Sequence, residues 1–85
     1  FFKGHSGSCY LEFTAPITSS CEIKYANQYA ETRLYLNDFT DANWIHRNTS
    51  QKTPSTHVFN VTVGDKIRLM EYGLSVSYLY YINFV

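Results

Sequence analysis

The chain of 85 residues carries seven lysine and arginine residues against seven aspartate and glutamate residues, so its formal charge at pH 7 is zero. A chain of this length provides enough apolar surface for about one hydrophobic core. The even charge balance argues against nucleic acid as a partner, since proteins that bind it present a basic surface to the phosphates. No apolar run is long enough for a transmembrane segment.

The first eight residues differ from the rest of the chain. Glycine and serine dominate residues 4–8, which predicts a flexible N-terminal lead-in over 1–8 and a single β-sandwich domain over 9–85. Because the sequence starts with Phe1 rather than methionine, we expect a processed mature form or a trimmed leader.

Two cysteines lie in short runs of alternating polar and apolar residues, Cys9 in 9–13 and Cys21 in 21–25. If these runs are neighbouring antiparallel strands, the sulfurs meet, and we predict a Cys9–Cys21 disulfide. In the chain-entropy model such a bridge stabilises the fold by roughly 3 kcal/mol. It also indicates a secreted or extracytoplasmic location. The alternative is two buried thiols in a cytosolic protein. A zinc site is disfavoured, because the cysteines are not closely spaced and the histidines are scattered.

Two segments match the acceptor pattern for N-linked glycosylation, Asn48-Thr49-Ser50 and Asn60-Val61-Thr62. They are consistent with secretion. The pattern does not tell whether Asn48 or Asn60 is glycosylated.

Aromatic residues make up 18% of the chain, a composition that favours the half-buried surface of a sheet. Alternating polarity predicts the strands, which are expected near 9–13, 20–25, 29–36, 58–63, 66–69 and 75–84. Six or seven short strands predict an all-β fold, a small antiparallel β-sandwich with jelly-roll or immunoglobulin-like connectivity.

The connections between the predicted strands carry their own signals. Gly64-Asp65 predicts a tight type II′ turn that joins 58–63 and 66–69 in a hairpin. Asp38 precedes a segment that predicts a short helix near 39–46, with a loop as the alternative. Residues 48–56 are polar and are expected to form a mobile surface connection.

The C-terminal run 75–84 predicts a central strand. We expect its inward face to be formed by Val76, Tyr78, Tyr80, Ile82 and Phe84. Leu79 and Tyr81 on the other side are also apolar, so a ligand or a second copy in a homo-oligomer is expected to cover that face.

No catalytic pattern stands out. A serine nucleophile on a Gly-x-Ser-x-Gly turn is absent, as are glycine loops that cradle phosphates. The strand glutamates are expected to face solvent opposite lysine or arginine rather than to flank a substrate; they are Glu12, Glu22, Glu31 and Glu71. We therefore expect no enzymatic activity and no cofactor.

An oxygen-rich segment runs from Asn37 to Asn43 and includes Asp38 and Asp41. These two carboxylates are candidate ligands for calcium, which prefers oxygen donors. Turn or capping hydrogen bonds explain the same residues without a metal, and we favour that explanation.

The candidate ligand-binding residues are Trp44, Asn43, His46 and Arg47. A sugar ring can stack on the indole while amide and guanidinium groups bind its hydroxyls; the alternative is that Trp44 fills the core. We expect a non-enzymatic, secreted or surface-exposed binding module for a glycan or a protein receptor. The alternatives are a small secreted effector, such as a toxin, antimicrobial or inhibitor, and a structural subunit of an assembly.

Overall fold

The computed structural model describes residues 2–4, 9–49, 52–72 and 75–85. They form eight β-strands: β1 Phe2–Gly4, β2 Tyr10–Thr14, β3 Ser19–Gln28, β4 Glu31–Leu36, β5 His46–Asn48, β6 Ser55–Val61, β7 Lys66–Tyr72 and β8 Ser75–Phe84. The described ranges contain no helix, and thus none with the length and hydropathy to cross a membrane. β1 lies in the segment predicted as a flexible lead-in and pairs with β8. Residues 1 and 5–8 of that segment are outside the described ranges.

The strands form two antiparallel sheets of four. Sheet 1 has the order β1-β8-β3-β6 and sheet 2 the order β2-β7-β4-β5. The pairing is nested, β1 with β8, β2 with β7, β3 with β6 and β4 with β5. Nested pairing across two packed sheets is the connectivity of a jelly roll. The predicted small β-sandwich is confirmed, although it has eight strands rather than six or seven because β1 and β5 were not expected.

The hydrophobic core lies between the two sheets. Its central side chains are all 0% exposed: Cys21, Ile23 and Tyr25 of β3, Leu34 of β4, and Ile67 and Leu69 of β7. Every second residue of a strand points to the same side, which is why the alternating runs of the sequence place these residues inward. Full burial of each aliphatic side chain contributes roughly 1.5–3 kcal/mol.

The predicted hairpin at Gly64-Asp65 is wrong. The turn exists, with Gly64 at φ 92° and the Asp65 amide donating to the Thr62 carbonyl over 2.9 Å. However, β6 pairs with β3 in sheet 1, whereas β7 pairs with β2 and β4 in sheet 2. The Gly64 amide donates to the Ala15 carbonyl instead, so the turn carries the chain from one sheet to the other.

The predicted short helix near 39–46 is also wrong, and the alternative of a loop holds. The Asp38 carboxylate accepts hydrogen bonds from the Thr40 amide and the Asn43 side chain, which closes a turn rather than a helix. The Ile45 amide then donates to the Leu34 carbonyl of β4 over 2.8 Å. This bond draws the chain into β5 directly after the turn.

β8 contains an irregularity that changes which residues face inward. Lys24 of β3 pairs with Tyr81, whereas the next residue, Tyr25, pairs with Leu79, so Tyr80 is an extra residue. A bulge of this kind shifts the alternation by one position. β8 is a central strand as predicted, but its core-facing residues are Ser77, Leu79, Ile82 and Phe84. The expectation that Tyr78 and Tyr80 face inward is wrong, since both line a depression on the outer side of sheet 1 and the side chain of Tyr80 is 55% exposed.

The predicted Cys9–Cys21 disulfide is not formed. Cys9 directly precedes β2 of sheet 2, whereas Cys21 lies in β3 of sheet 1, so the two runs are not neighbours in one sheet. The Cys9 carbonyl accepts a hydrogen bond from the Glu71 amide, at the end of the sandwich where Asn27 of β3 lies. Cys21 is six positions away from Asn27 along β3. At about 3.3 Å per residue, six positions span roughly 20 Å, far beyond the reach of a disulfide.

Candidate functional site

The outer side of sheet 2 presents three arginines, each against an aromatic ring. We call this surface the arginine–aromatic face; it consists of Arg33, Arg47, Arg68, Tyr10, Phe39, Trp44 and Tyr72. The arginines alternate with core residues along β4, β5 and β7, which is why they point away from the core. Stacking of guanidinium on aromatic rings contributes about 0.5–1 kcal/mol at exposed sites.

Two of the three arginines are neutralised within this face. Arg33 lies 3.9 Å from the Tyr72 ring centre and donates to Glu31 over 2.7 Å. Arg68 lies between the rings of Tyr10 and Phe39 and donates to Glu12 over 2.7 Å. Glu12 lies opposite Arg68 of the neighbouring strand, as the sequence predicted, whereas Glu31 lies opposite Tyr72 and binds Arg33 two residues along its own strand. The two glutamate carboxylates accept hydrogen bonds from guanidinium donors that an anionic ligand would otherwise bind.

Arg47 differs from the other two arginines. Its guanidinium lies 4.8 Å from the ring centre of Trp44, and its side chain is 47% exposed. Its nearest described carboxylate oxygen belongs to Glu31, at 3.7 Å, and Glu31 already accepts Arg33 at 2.7 Å. Arg47 thus retains hydrogen-bond donors that face solvent. Trp44 is 36% exposed, so it does not fill the core.

The loop that carries Trp44 is fixed to the sheet. Tyr35 of β4 is 0% exposed, and its hydroxyl donates to the Asp41 carbonyl over 2.8 Å. Arg33 donates to the same carbonyl over 2.9 Å. Together with the turn closed by Asp38, these bonds hold the loop against the outer side of β4. The position of Trp44 is therefore set before any ligand arrives.

The structure divides the predicted ligand-binding residues. Trp44 and Arg47 lie together, whereas the Asn43 amide is bound to Asp38 over 2.8 Å. His46 points to the opposite side of β5 from Arg47, because neighbouring residues of a strand face opposite sides. Its Nδ1 lies 2.6 Å from the Tyr25 hydroxyl. The predicted four-residue cluster is in fact a pair, Trp44 with Arg47.

His46 also forms a contact that the sequence did not indicate. Its ring stacks on that of His57 with 4.5 Å between ring centres, and His57 stacks in turn on Phe59. His46 belongs to β5 and His57 to β6, so the stack joins the edge strands of the two sheets. Burial lowers the pKa of both imidazoles, and the charge of His57 lowers that of His46 further. The lowered pKa of each ring favours its neutral form, in which two stacked imidazoles do not repel each other.

The two candidate calcium ligands, Asp38 and Asp41, make different contacts. Hydrogen bonds from Thr40 and Asn43 lower the pKa of Asp38 and use both of its carboxylate oxygens. Asp41 has a side chain 79% exposed and lies 3.7 Å from Arg33. Within the described ranges, no three histidine, cysteine or acidic side chains lie close enough to hold a metal ion.

A buried polar cluster at one end of the core was missed by the sequence analysis. We call it the core polar cluster; it consists of Asn27, Thr32, Glu71 and Ser77, each 0–1% exposed. Asn27 donates to the Thr32 hydroxyl over 2.9 Å, and that hydroxyl bonds to Ser77. Glu71 was expected to face solvent, and that expectation is wrong. Only the pairing of β4 with β7 and of β3 with β8 brings these four residues together.

The carboxyl of Glu71 is held in an environment that disfavours its charge. Burial raises its pKa, opposed by the nearby Ser77 hydroxyl and the Cys9 thiol. Neither carboxylate oxygen has a hydrogen bond of good geometry with a residue that the structure describes. The cluster lies inside the sandwich and is not open to a ligand.

The two glycosylation acceptor patterns differ in accessibility. The Asn48 side chain is 3% exposed and its amide donates to the Tyr25 carbonyl, the Thr53 carbonyl and the Ser55 hydroxyl. In the folded domain it is closed to modification. Asn60 is exposed on β6.

Sheet 1 offers a second, shallower feature on its outer side. An open depression of about 380 Å³ is lined by Lys52, Tyr78 and Tyr80. The Tyr78 hydroxyl donates to Gln28, and the Lys24 ammonium lies 5.4 Å from the centre of the Tyr80 ring. Cationic and aromatic groups thus occur on both sides of the sandwich.

Comparison with known protein families, with curated proteins and with solved structures gave no match for this chain.

Proposed function

We propose that the domain is a non-enzymatic binding module, displayed or secreted outside the cell, that recognises a carbohydrate through Trp44 and Arg47. The observation that carries the proposal is a partly exposed indole next to a guanidinium that retains donors facing solvent. An aromatic face provides a platform for the apolar side of a sugar ring. A guanidinium provides several donors in a rigid plane for hydroxyl or carboxylate oxygens.

The difference among the three arginines supports this assignment. Arg33 and Arg68 each have a glutamate carboxylate at 2.7 Å, so their positive charge is already neutralised within the arginine–aromatic face. Arg47 has its nearest described carboxylate at 3.7 Å and is about half exposed. A sugar that carries a carboxylate gains most from this arrangement, because paired donors of arginine bind carboxylates in a bidentate manner.

The rigidity of the loop is a second support. Binding is weakened when side chains and loops must be ordered, at about 0.5–1.5 kcal/mol for each immobilised side chain. The hydrogen bonds to the Asp41 carbonyl order the loop in advance. The exposed glycosylation acceptor Asn60 is consistent with an extracellular location. A disulfide gives that location no support, because the two cysteines are not bonded.

A glycan array followed by calorimetry tests the proposal. We expect the wild-type domain to bind glycans that contain an acidic sugar, and Trp44→Ala and Arg47→Ala each to weaken binding by roughly tenfold or more, since one lost contact of about 1.4 kcal/mol is a factor of ten. Tyr80→Ala is the matched control, because Tyr80 is an exposed aromatic residue on the other sheet. Its affinity should equal that of wild type.

Correctly folded protein that binds no glycan would contradict the carbohydrate assignment. The same holds if Trp44→Ala binds as tightly as wild type. Binding to a purified protein whose glycans have been removed would show that the receptor is a polypeptide, and would also overturn the assignment.

A further inference from the structure

The four edge strands of the sandwich are not equally protected against pairing with another chain. β1 and β5 have three residues each and contain Lys3 and Arg47. β2 has five residues and contains Glu12. Short length and charge are the usual devices that prevent an edge strand from recruiting a further strand. β6 is the fourth edge and has neither device.

β6 is a regular strand of seven residues, Ser55–Val61, without lysine, arginine, aspartate, glutamate or proline. Its seven pairs with β3 follow one another without a bulge. Along its free side, alternate residues present amide and carbonyl groups that no described strand pairs. Val58, at the centre of the strand, is 55% exposed.

We propose that β6 pairs with β6 of a second copy of this chain in an antiparallel manner, so that the two sheets 1 become one continuous sheet. Pairing about a two-fold axis at Val58 places Val58 opposite its counterpart and Thr56 opposite Asn60. On the core side it places His57 opposite Phe59. All seven residues then have a partner, and the dimer is closed and symmetric.

The second copy is favoured over another partner by the self-complementarity of the strand. On the outer side Thr56 meets Asn60 and the exposed valines cover one another, and since β6 contains no lysine, arginine, aspartate or glutamate, no such charges face each other. The formal charge of the chain is zero, so no long-range repulsion opposes association. A different partner would have to match this pattern by its own sequence.

Val58→Lys tests the proposal by placing a charge at the centre of the edge. We expect the variant to fold, because Val58 is exposed and lies opposite Glu22 of β3, which can pair with the new ammonium. Val63→Lys is the matched control: it introduces the same charge at a valine 60% exposed but beyond the end of β6.

Sedimentation equilibrium over a range of concentrations is the measurement. The wild-type and Val63→Lys chains should rise in apparent mass toward twice 9.9 kDa, while Val58→Lys should stay at 9.9 kDa. Hydrogen exchange should show the β6 amides of the wild type becoming more protected as concentration rises. A wild-type chain that remains monomeric at millimolar concentration overturns the proposal. So does a Val58→Lys chain that dimerises, or a Val63→Lys chain that does not.

Discussion

Glu71 occupies a core-facing position of β7 and is 0% exposed. Burial of a carboxylate is costly unless hydrogen bonds or an opposite charge compensate for the lost hydration. The structure provides neighbouring hydroxyl groups but no cation near it within the described residues. Because burial raises its pKa, there is a pH interval above about 4.5 in which the folded state retains a proton that the unfolded chain has released.

The free energy of unfolding therefore depends on pH through the ionisation of Glu71. The contribution of Glu71 is fully present below the unfolded pKa of about 4.5 and is lost as pH rises through the higher folded pKa. Glu71→Gln, which cannot ionise, should be more stable than wild type at pH 7, because burial disfavours the carboxylate and each unit by which its pKa rises corresponds to about 1.4 kcal/mol. The melting temperatures of the two proteins should converge at pH 4.

Glu12→Gln provides the control for that comparison. Glu12 lies on the surface in an ion pair with Arg68, and such pairs contribute about 0–1 kcal/mol. Equal melting temperatures of Glu71→Gln and wild type at pH 7 would contradict the account of a destabilising buried charge.

At the scale of an element, the bulge in β8 decides which side chains enter the core. Ser77 and Leu79 precede Tyr80 and face inward, and Ile82 and Phe84 face inward beyond Tyr81. Without Tyr80, the same four residues would fall on one face of a regular strand. The bulge thus adds one residue to the strand without changing its inward set.

Deletion of Tyr80 should therefore be tolerated. We expect the shortened β8 to pair with β3 in an unbroken ladder, with a free energy of unfolding close to that of wild type. Deletion of Tyr78 is the control, since it makes Leu79 follow Ser77 directly and turns one of them away from the core. The loss of a buried leucine contact costs roughly 1.5–3 kcal/mol. Urea titration of both variants measures the difference, and a larger loss for the Tyr80 deletion would refute the interpretation.

At the scale of the whole molecule, nested pairing separates residues that are close in sequence. β2 and β3 follow one another but lie in different sheets, which keeps Cys9 and Cys21 apart. Stability then comes from the core between the sheets and from contacts that join them, such as the stack of His46 on His57. No covalent link between the cysteines is required.

Reducing agent should have no effect on the melting temperature. Cys21 is 0% exposed and burial raises its pKa to about 11, so it should resist thiol reagents in the folded protein. Both cysteines should react once the chain is unfolded in denaturant. A fall in melting temperature on reduction, or an intact-protein mass that lacks both thiol hydrogens, would show that a disulfide forms after all.

The class of the fold and the location of the longer strands could be predicted from the sequence. The sequence also placed Trp44 and Arg47 near each other, because they are three residues apart in the chain. These properties follow from alternation along a strand and from short separations in the chain, which are local. The sequence predicts a helix after Asp38 where a turn forms, because capping a helix and closing a turn require the same residue types.

Which strands pair follows from long-range contacts in the folded domain. Alternation specifies the two faces of a strand but not its neighbours, so Gly64-Asp65 looked like a hairpin although it joins different sheets. The same limit applies to the cysteines, to the buried position of Glu71 and to the bulge at Tyr80. Each depends on contacts between residues far apart in the chain, and those contacts are formed only when the two sheets pack together.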